Sequence, residues 1–513
     1  MRWPTRLLVA VAVVTSANYD IWAGGPDASQ LAALIDRHVE ARLKSEGVAP
    51  ASRADESEFL RRVYLDLHGV VPTAEQAAIF LEDTRPDRRT RLIDALLADS
   101  RYGEYLADIW QGFLVSPLAD DRRIRADQFR TWLTEQFNTK SWDRITSEIL
   151  TATGKIEENP AVVYLIEGRL PRTVPDLTDL TSRYFLGVRL NCAQCHDHPF
   201  VAWKKQDFWG MAAFFTQVQT PGKSKLVYQV GVKDYRDQNL DSLKKDGVPD
   251  GFLFRAPTFL GGETPSSDKQ LTHRAALAEW ITSAKNPYFA RAMVNRTWWR
   301  LFGRGFVNPV DDMHSANPPS HPELLDLLAQ WFVESGFDHK FLTRAIVSSR
   351  AYQRTSRPGN ASSKQVELFG RMSVKVLSPG QLYDSFVAIL GPPARKRGGP
   401  QQDVRADFIQ FFSDDGDPDP TAYRRGIPHL LRQMNSDQFA GRSVVSLGSR
   451  LAKSGRSADD VAGDLFLTVL SRRPTTGERK LFQEHATRCG SVETAAGELA
   501  WALLMTSEFS LNR

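Results

Sequence analysis

The pentapeptide Cys192-Ala193-Gln194-Cys195-His196 places two thiols three residues apart and an imidazole directly after the second thiol. This C-x-x-C-H spacing is typical of covalent c-type haem attachment. The thiols form thioethers with the vinyl groups on one edge of the porphyrin, and the imidazole becomes the proximal iron ligand. With 3 cysteines and 10 histidines in 513 residues, chance placement gives the motif in about one of three thousand such chains. The motif therefore predicts haem c held by Cys192, Cys195 and His196.

The same residue types also fit other kinds of site. Thiolate and imidazole are ligands for zinc and copper, so a non-haem metal site could use Cys192, Cys195, His196 and the nearby His198. In an oxidising compartment the two thiols could form a redox or structural disulfide, or they could be structural thiols only. The third cysteine, Cys489, has no assigned role. Haem is the favoured interpretation, and no sixth iron ligand can be identified from the sequence.

The N-terminus indicates export. Arg2 and Arg6 flank the start of an apolar run, Leu7–Val14, which small residues follow up to Ala17. This order is typical of a secretory signal peptide, with cleavage after Ala17 or, alternatively, after Ala23. The run is shorter than the roughly 20 residues that a membrane span needs. We therefore predict a periplasmic or secreted protein with no integral membrane span after signal removal.

Composition and charge limit the class of protein. The chain has 42% hydrophobic and 25% charged residues, which is typical of a globular protein and excludes a disordered or coiled-coil chain. The 65 basic and 61 acidic side chains give a net charge of +4, too close to balance to indicate a nucleic-acid partner. Standard hydrolase and nucleotide-binding motifs are not found. A redox partner protein is expected, whereas the sequence identifies no substrate and leaves open whether the protein is an enzyme.

Helical apolar spacing dominates the chain and predicts a mostly α fold. After a signal peptide at residues 1–23, we expect two helical regions, 24–218 and 266–513. An irregular Gly/Pro-rich connector with minor β structure, 219–265, joins them.

Local patterns predict where particular elements begin. Capping boxes at Thr73/Gln76, Ser320/Glu323 and Thr475/Glu478 predict three helix starts. Within the connector, the runs Leu226–Val232 and Phe252–Phe254 are β-like.

Three other groups of residues have a structural interpretation that we favour. The acidic loop Asp414–Asp419 could bind Ca²⁺ but lacks the usual loop register, so a solvated turn is expected. Asp311 and Asp312 could converge with His314 and His321, although a helix-entry turn explains them as well. Trp298-Trp299 could stack on a sugar, but helical spacing favours the core.

Longer sequence strings resemble a known family. The segment Asn191–Phe200, the upstream Phe59–Gly69 and Tyr102–Glu104 are similar to the first region of the planctomycete cytochrome-associated family, domain of unknown function 1549. The strings similar to its second region, domain of unknown function 1553, are Asn286–Arg291, Val294–Trp298, Phe302–Gly305, Asn308–Asp312, Asn317–Leu325, Ser348–Gln353 and Trp501–Phe509.

The resemblance implies an exported, cytochrome-c-like protein without a settled enzymatic activity. Longer members carry an additional N-terminal cytochrome c domain with its own C-x-x-C-H motif. The present sequence lacks that module, so the resemblance implies that electron transfer would depend on Cys192, Cys195 and His196.

Overall fold

The computed structural model describes residues 26–115, 126–167, 170–219, 231–234, 238–265, 271–357, 363–392, 404–412, 434–435, 441–452 and 456–513. Most of these residues are helical and only short strands accompany them, which confirms the mostly α fold. The predicted signal peptide, the acidic loop and most of the first β-like run lie outside the described residues. The boundaries predicted for the two regions and the connector stay predictions.

Helices in the part of the chain before the connector are α1 (Ala28–Ser45), α2 (Glu56–Leu67), α3 (Ala74–Glu82), α4 (Arg88–Ala98), α5 (Arg101–Leu114), α6 (Ala126–Thr139), α7 (Trp142–Thr151), α8 (Val174–Leu186) and α9 (Lys205–Ala212). Those that follow are α10 (Leu240–Lys245), α11 (His273–Thr282), α12 (Phe289–Phe302), α13 (Pro322–Glu334), α14 (His339–Ser348), α15 (Ser363–Glu367) and α16 (Pro379–Leu390). The last ones are α17 (Val404–Phe412), α18 (Arg442–Leu451), α19 (Ala458–Leu470), α20 (Thr476–Cys489), α21 (Val492–Leu504) and α22 (Ser507–Ser510).

The strands are short and form small antiparallel sheets. They are β1 (Gly154–Lys155), β2 (Ile166–Glu167), β3 (Leu170–Pro171), β4 (Val218–Gln219), β5 (Gly231–Asp234), β6 (Lys375–Val376) and β7 (Leu511–Asn512). The sheet orders are β1-β5-β4, β2-β3 and β6-β7. The last pair joins a segment near residue 375 to the C-terminal end of the chain.

All three predicted helix starts are present, but only two of the three capping boxes form. Thr73 and Thr475 each accept a backbone N–H at the start of their helix, and the Gln76 and Glu478 side chains complete the boxes. At α13, the N-cap residue is His321 and no side chain caps the helix. The Ser320 hydroxyl lies 3.0 Å from Nδ1 of His321 instead.

The prediction of β structure at Phe252–Phe254 is also wrong. Residues Asp250–Phe252 form a 3₁₀ turn after Pro249, and Phe252 stacks on Trp209. Leu253 is buried and Phe252 is partly buried, whereas Phe254 is 78% exposed, and no strand forms here.

Buried apolar side chains form two cores. The larger one runs from Leu31 in α1 to Met372, includes Leu467 from α19, and contains the fully buried Trp142 and Trp298. The core prediction is therefore confirmed for Trp298, whereas Trp299 is only partly buried. The smaller one lies among the helices of the last 140 residues, together with Leu65 from α2. Because α2 contributes to both cores, it joins the two ends of the chain.

Within the described ranges, we find no helix with the length and apolar character that crossing a membrane requires.

Candidate functional site

The C-x-x-C-H motif lies on a short turn directly after α8. That helix ends at Gly187, whose φ is +68°, and a Cβ added there would lie 3.2 Å from Cβ of Ala292. The chain then enters a 3₁₀ turn, Asn191–Gln194, anchored by the fully buried side chains of Leu190 and Ala193. A tight helix end and two apolar anchors therefore place the motif at the surface.

The turn presents both thiols on one side. Side chains at positions i and i+3 eclipse one another in a 3₁₀ turn, and Cys195 continues the turn with helical backbone angles. Cys192 and Cys195 are both exposed, and neither forms a disulfide. Both thiols are therefore accessible and not bonded to each other.

His196 is exposed, and its imidazole has one nitrogen engaged. Nδ1 lies 2.8 Å from the backbone carbonyl oxygen of Asp197, to which it can donate a hydrogen bond. A metal-binding histidine usually has one nitrogen engaged in this way, which fixes the tautomer and leaves the other nitrogen free as the ligand. The arrangement leaves Nε2 of His196 available.

Hydrogen bonds fix the loop that follows the motif. Trp209 Nε1 donates to the carbonyl of Gln194 at 3.0 Å, and the Asp197 carboxylate accepts the backbone N–H of Lys205 at 2.9 Å. His198 has its Nδ1 occupied, because it accepts the backbone N–H of Phe200 at 3.2 Å. The motif thus stands on a surface loop of defined geometry.

The structure does not bring the four candidate metal ligands together. Over the ranges described above, the one group with three ligand atoms within 4.8 Å of each other consists of His485, Cys489 and Glu498. No three of the side chains of Cys192, Cys195, His196 and His198 meet that distance.

The cluster of His485, Cys489 and Glu498 lies where α20 and α21 meet, and sequence analysis had assigned Cys489 no role. Sγ of Cys489 lies 3.5 Å from Nε2 of His485 and 3.7 Å from the nearer Glu498 oxygen. Those spacings match a tetrahedral zinc site, where S···N and S···O edges are about 3.6 Å. Nε2 and the Glu498 oxygen, however, are only 2.6 Å apart, against about 3.4 Å for two ligands of one zinc ion. The pair is therefore a hydrogen bond, and no metal site is assigned.

Asp311 does not converge with the histidines as one sequence interpretation allowed. Its buried carboxylate accepts hydrogen bonds from Nε of Arg183 and, at 2.7 and 2.9 Å, from Arg189. Burial acts to raise the pKa of Asp311, but the hydrogen bond from Arg183 and the surrounding guanidinium charges outweigh it and lower the pKa. His314 pairs with Asp312 at 3.5 Å instead.

Two large cavities occur in the described chain, and neither is lined by the motif. One, of about 710 Å³, lies among Arg183, Arg189, Arg296 and neighbouring aromatic rings. The other, of about 890 Å³, is mainly apolar and lies beside α20 and α21. A haem on Cys192 and Cys195 would therefore lie outside both cavities.

Comparison with known families gives two matches. The family model PSCyt2, described as a protein of unknown function (DUF1549), matches residues 34–220, which include the whole C-x-x-C-H motif. The model PSD1, described as a protein of unknown function (DUF1553), matches residues 273–440. No curated protein and no solved structure matches the chain. The chain therefore carries a DUF1549 region followed by a DUF1553 region.

Proposed function

We propose that this chain is an exported protein that binds one haem c covalently and takes part in electron transfer, alone or as a redox subunit. The observation that carries the proposal is the state of His196. Its Nδ1 is held by the carbonyl of Asp197, and its exposed ring has Nε2 available. This is the arrangement that second-shell hydrogen bonding gives a ligating histidine.

The two thiols support the same proposal. Cys192 and Cys195 are exposed, unpaired and separated by one 3₁₀ turn, so the porphyrin edge can reach both. They would hold the haem through thioethers, and His196 would bind its iron. When bound, the haem would supply a one-electron redox centre.

Apolar surface next to the motif also fits a porphyrin face. Phe200 is 84% exposed and its ring contacts that of His198 edge-on, with centroids 6.3 Å apart. The polar neighbours Asp197 and Lys205 are hydrogen-bonded to each other and lie in the same loop.

A non-haem metal site is the second candidate, with zinc or copper bound by Cys192, Cys195, His196 and His198. It requires the loop to rearrange, because these ligand atoms are not grouped in the present conformation. Haem attachment needs no such convergence, since the thioethers and the iron ligand meet different atoms of one large group.

The test is haem staining after denaturing electrophoresis of protein exported in a host with cytochrome c maturation machinery. Wild type should stain, and Cys192→Ser/Cys195→Ser should lose the stain, because only a covalently attached haem survives denaturation. Cys489→Ser is the matched control, and it should stain like wild type.

His198→Ala separates the two candidates. The haem proposal predicts full staining of this variant, because His198 has no part in attachment. Unstained wild type that carries zinc or copper, with the metal lost in His198→Ala, would overturn the haem proposal in favour of the second candidate. Unstained and metal-free wild type would overturn both.

A further inference from the structure

The cavity of about 710 Å³ is a cleft between the two matched regions. One wall comes from the end of α8, with Arg183 and Tyr184, and another from α12, with Arg296 and Trp299. The remaining walls include Phe113 of α5, residues of α15 and the loops 303–311 and 371–374. Its volume lies in the range of about 300–1,000 Å³ that is usual for small-molecule sites.

The cleft carries an excess of positive charge. Its lining contains five arginines, at positions 183, 189, 296, 304 and 371, and two carboxylates, Asp311 and Glu367, so the balance is 5 − 2 = +3. One carboxylate, Asp311, is shared by two of the arginines. Charge that is buried away from water is costly unless it is paired, and Arg296 is only 5% exposed. The excess therefore indicates a ligand of opposite charge.

Arg296 is the most deeply buried of these arginines. It is 5% exposed, and its guanidinium lies 5.0 to 5.8 Å from the ring centroids of Phe113, Tyr184 and Trp110. One nitrogen donates to the carbonyl of Arg183 at 3.2 Å, while Nε is buried without a hydrogen-bond partner. The aromatic rings hold the guanidinium in place by cation–π attraction, and an unsatisfied donor remains at the cleft.

Arg304 and Arg371 also line the cleft, and they belong to the loops that follow α12 and α15. Nε of Arg371 is buried without a hydrogen-bond partner. No carboxylate pairs with either side chain among the residues that the structure covers, whereas Arg183 and Arg189 are paired with Asp311. These two arginines can therefore bind a ligand without first giving up an internal ion pair.

From this geometry we propose that the cleft binds a small molecular anion carrying at least two carboxylate, phosphate or sulfate groups. A planar guanidinium matches such groups with two parallel hydrogen bonds. The aromatic side chains of Phe113, Tyr184 and Trp299 give the body of the ligand an apolar surface. The volume is larger than a single inorganic ion needs, so the site takes a molecule. This proposal does not depend on haem attachment.

Isothermal titration calorimetry on the full exported protein at low ionic strength tests the proposal. The probes are citrate, pyrophosphate and sulfate, with glucose as the neutral control and sodium chloride at matched ionic strength. Citrate or pyrophosphate should bind one per chain, more tightly than sulfate, and glucose should not bind. Whichever of the two anions binds better identifies the preferred group.

The variants Arg304→Gln and Arg371→Gln should each raise the Kd about tenfold, because each removes one hydrogen bond to a charged group. Arg37→Gln removes the same charge from the exposed side of α1, away from the cleft, and should leave Kd unchanged. Circular dichroism and the Tm without ligand check that each variant is folded. If Arg371→Gln does not fold, the exposed Arg304 carries the test.

Several outcomes would overturn the proposal. These are no binding of any probe, a Kd that is the same in Arg304→Gln, Arg37→Gln and wild type, or displacement by sodium chloride at equal ionic strength. Sulfate binding as tightly as citrate and pyrophosphate would show a single-ion site instead. A colourless protein that binds citrate would contradict the haem proposal and leave the present one standing.

Discussion

His196 and His321 are histidines in opposite environments. His196 is exposed, with one nitrogen engaged and the other available to a ligand. His321 is 5% exposed, its ring packs against Phe306 and Phe369, and its Nε2 has no hydrogen-bond partner. Burial, with smaller contributions from the charges of Arg42 and His38, lowers the pKa of His321 to about 4.

The buried His321 should make the protein less stable in mild acid. Below pH 6.5 the unfolded chain binds a proton at this position that the folded chain does not take up until about pH 4. The free energy of unfolding therefore decreases as the pH is lowered across this window. Between pH 7 and pH 5 the loss from this one group is about 2 kcal/mol. Urea unfolding at both pH values measures it.

His321→Phe should reduce this pH dependence by that amount, because phenylalanine fits among the aromatic rings and does not titrate. Leu328→Ala is the control, since it removes buried carbon from the same helix without a titratable group, and it should keep the wild-type dependence. An unchanged dependence in His321→Phe would show that the imidazole takes up its proton equally in both states.

For individual residues, the sequence alone identified the C-x-x-C-H motif but not the arginine-lined cleft. Cys192, Cys195 and His196 are close in the chain, and their spacing alone defines the possible chemistry. The cleft arginines are separated by up to 188 positions, as 371 − 183 gives, and only folding brings them together. The strings Val294–Trp298, Phe302–Gly305 and Asn308–Asp312, which carried the family resemblance, contain several of the residues that line the cleft.

Among the elements, local signals explain where the sequence predicted helix starts correctly. Thr73 and Thr475 are followed three residues later by Gln76 and Glu478, and both capping boxes form because all their hydrogen bonds are local. At α13 the helix also begins as predicted, but one residue later than a Ser320 capping box requires, because Pro322 takes the first helical position and His321 becomes the N-cap residue. A pattern of residue types could not distinguish these two registers.

The loop from Gly303 to Asp311 depends on one buried side chain of α12. Asn295 donates hydrogen bonds to the carbonyls of Val307 and Val310, at 3.0 and 2.9 Å, and accepts the N–H of Val307 at 3.1 Å. Gly305 fits beside it, since a Cβ there would lie 2.5 Å from the Val307 carbonyl oxygen. Asn295 thus shapes the wall of the cleft.

Asn295→Ala should lower the free energy of unfolding by about 3 kcal/mol, because it leaves buried backbone groups without partners. It should also weaken anion binding by the cleft, since the loop that carries Arg304 loses its support. Chemical denaturation and calorimetry measure the two effects. Gln330→Ala, on an exposed position of α13, is the control and should change neither. Normal stability of Asn295→Ala would show that the loop does not need this side chain.

Across the whole molecule, buried polar groups tie the chain ends together. Nζ of Lys375 lies 2.6 Å from the carboxylate of Asp66 in α2, which also accepts hydrogen bonds from Tyr352 and from Asn512 near the C-terminus. Burial lowers the pKa of Lys375 to about 8, against the opposing effect of Asp66. Arg61 adds hydrogen bonds to the carbonyls of Val469 and Phe509.

Lys375→Met should lower the free energy of unfolding by about 3–5 kcal/mol, because it leaves the Asp66 carboxylate buried without its cation. The double variant Asp66→Asn/Lys375→Met should recover part of that loss, since no unpaired charge remains. Urea unfolding followed by fluorescence and by circular dichroism provides the values. A double variant at least as unstable as the single one would contradict this explanation.

The motif and the cleft are also neighbours in the chain. Arg189 lines the cleft and Cys192 begins the motif three residues later, so their Cα atoms are at most about 11 Å apart. The same short segment would thus contribute residues to both the anion site and the haem site.

The central claim is covalent haem at Cys192 and Cys195, and the most direct measurement is the intact mass of the exported protein from a host with haem attachment machinery. We predict the mass of the processed polypeptide plus one haem, and the polypeptide alone for Cys192→Ser/Cys195→Ser. A wild-type mass equal to that of the polypeptide alone, while a known cytochrome c in the same cells carries its haem, would contradict the account.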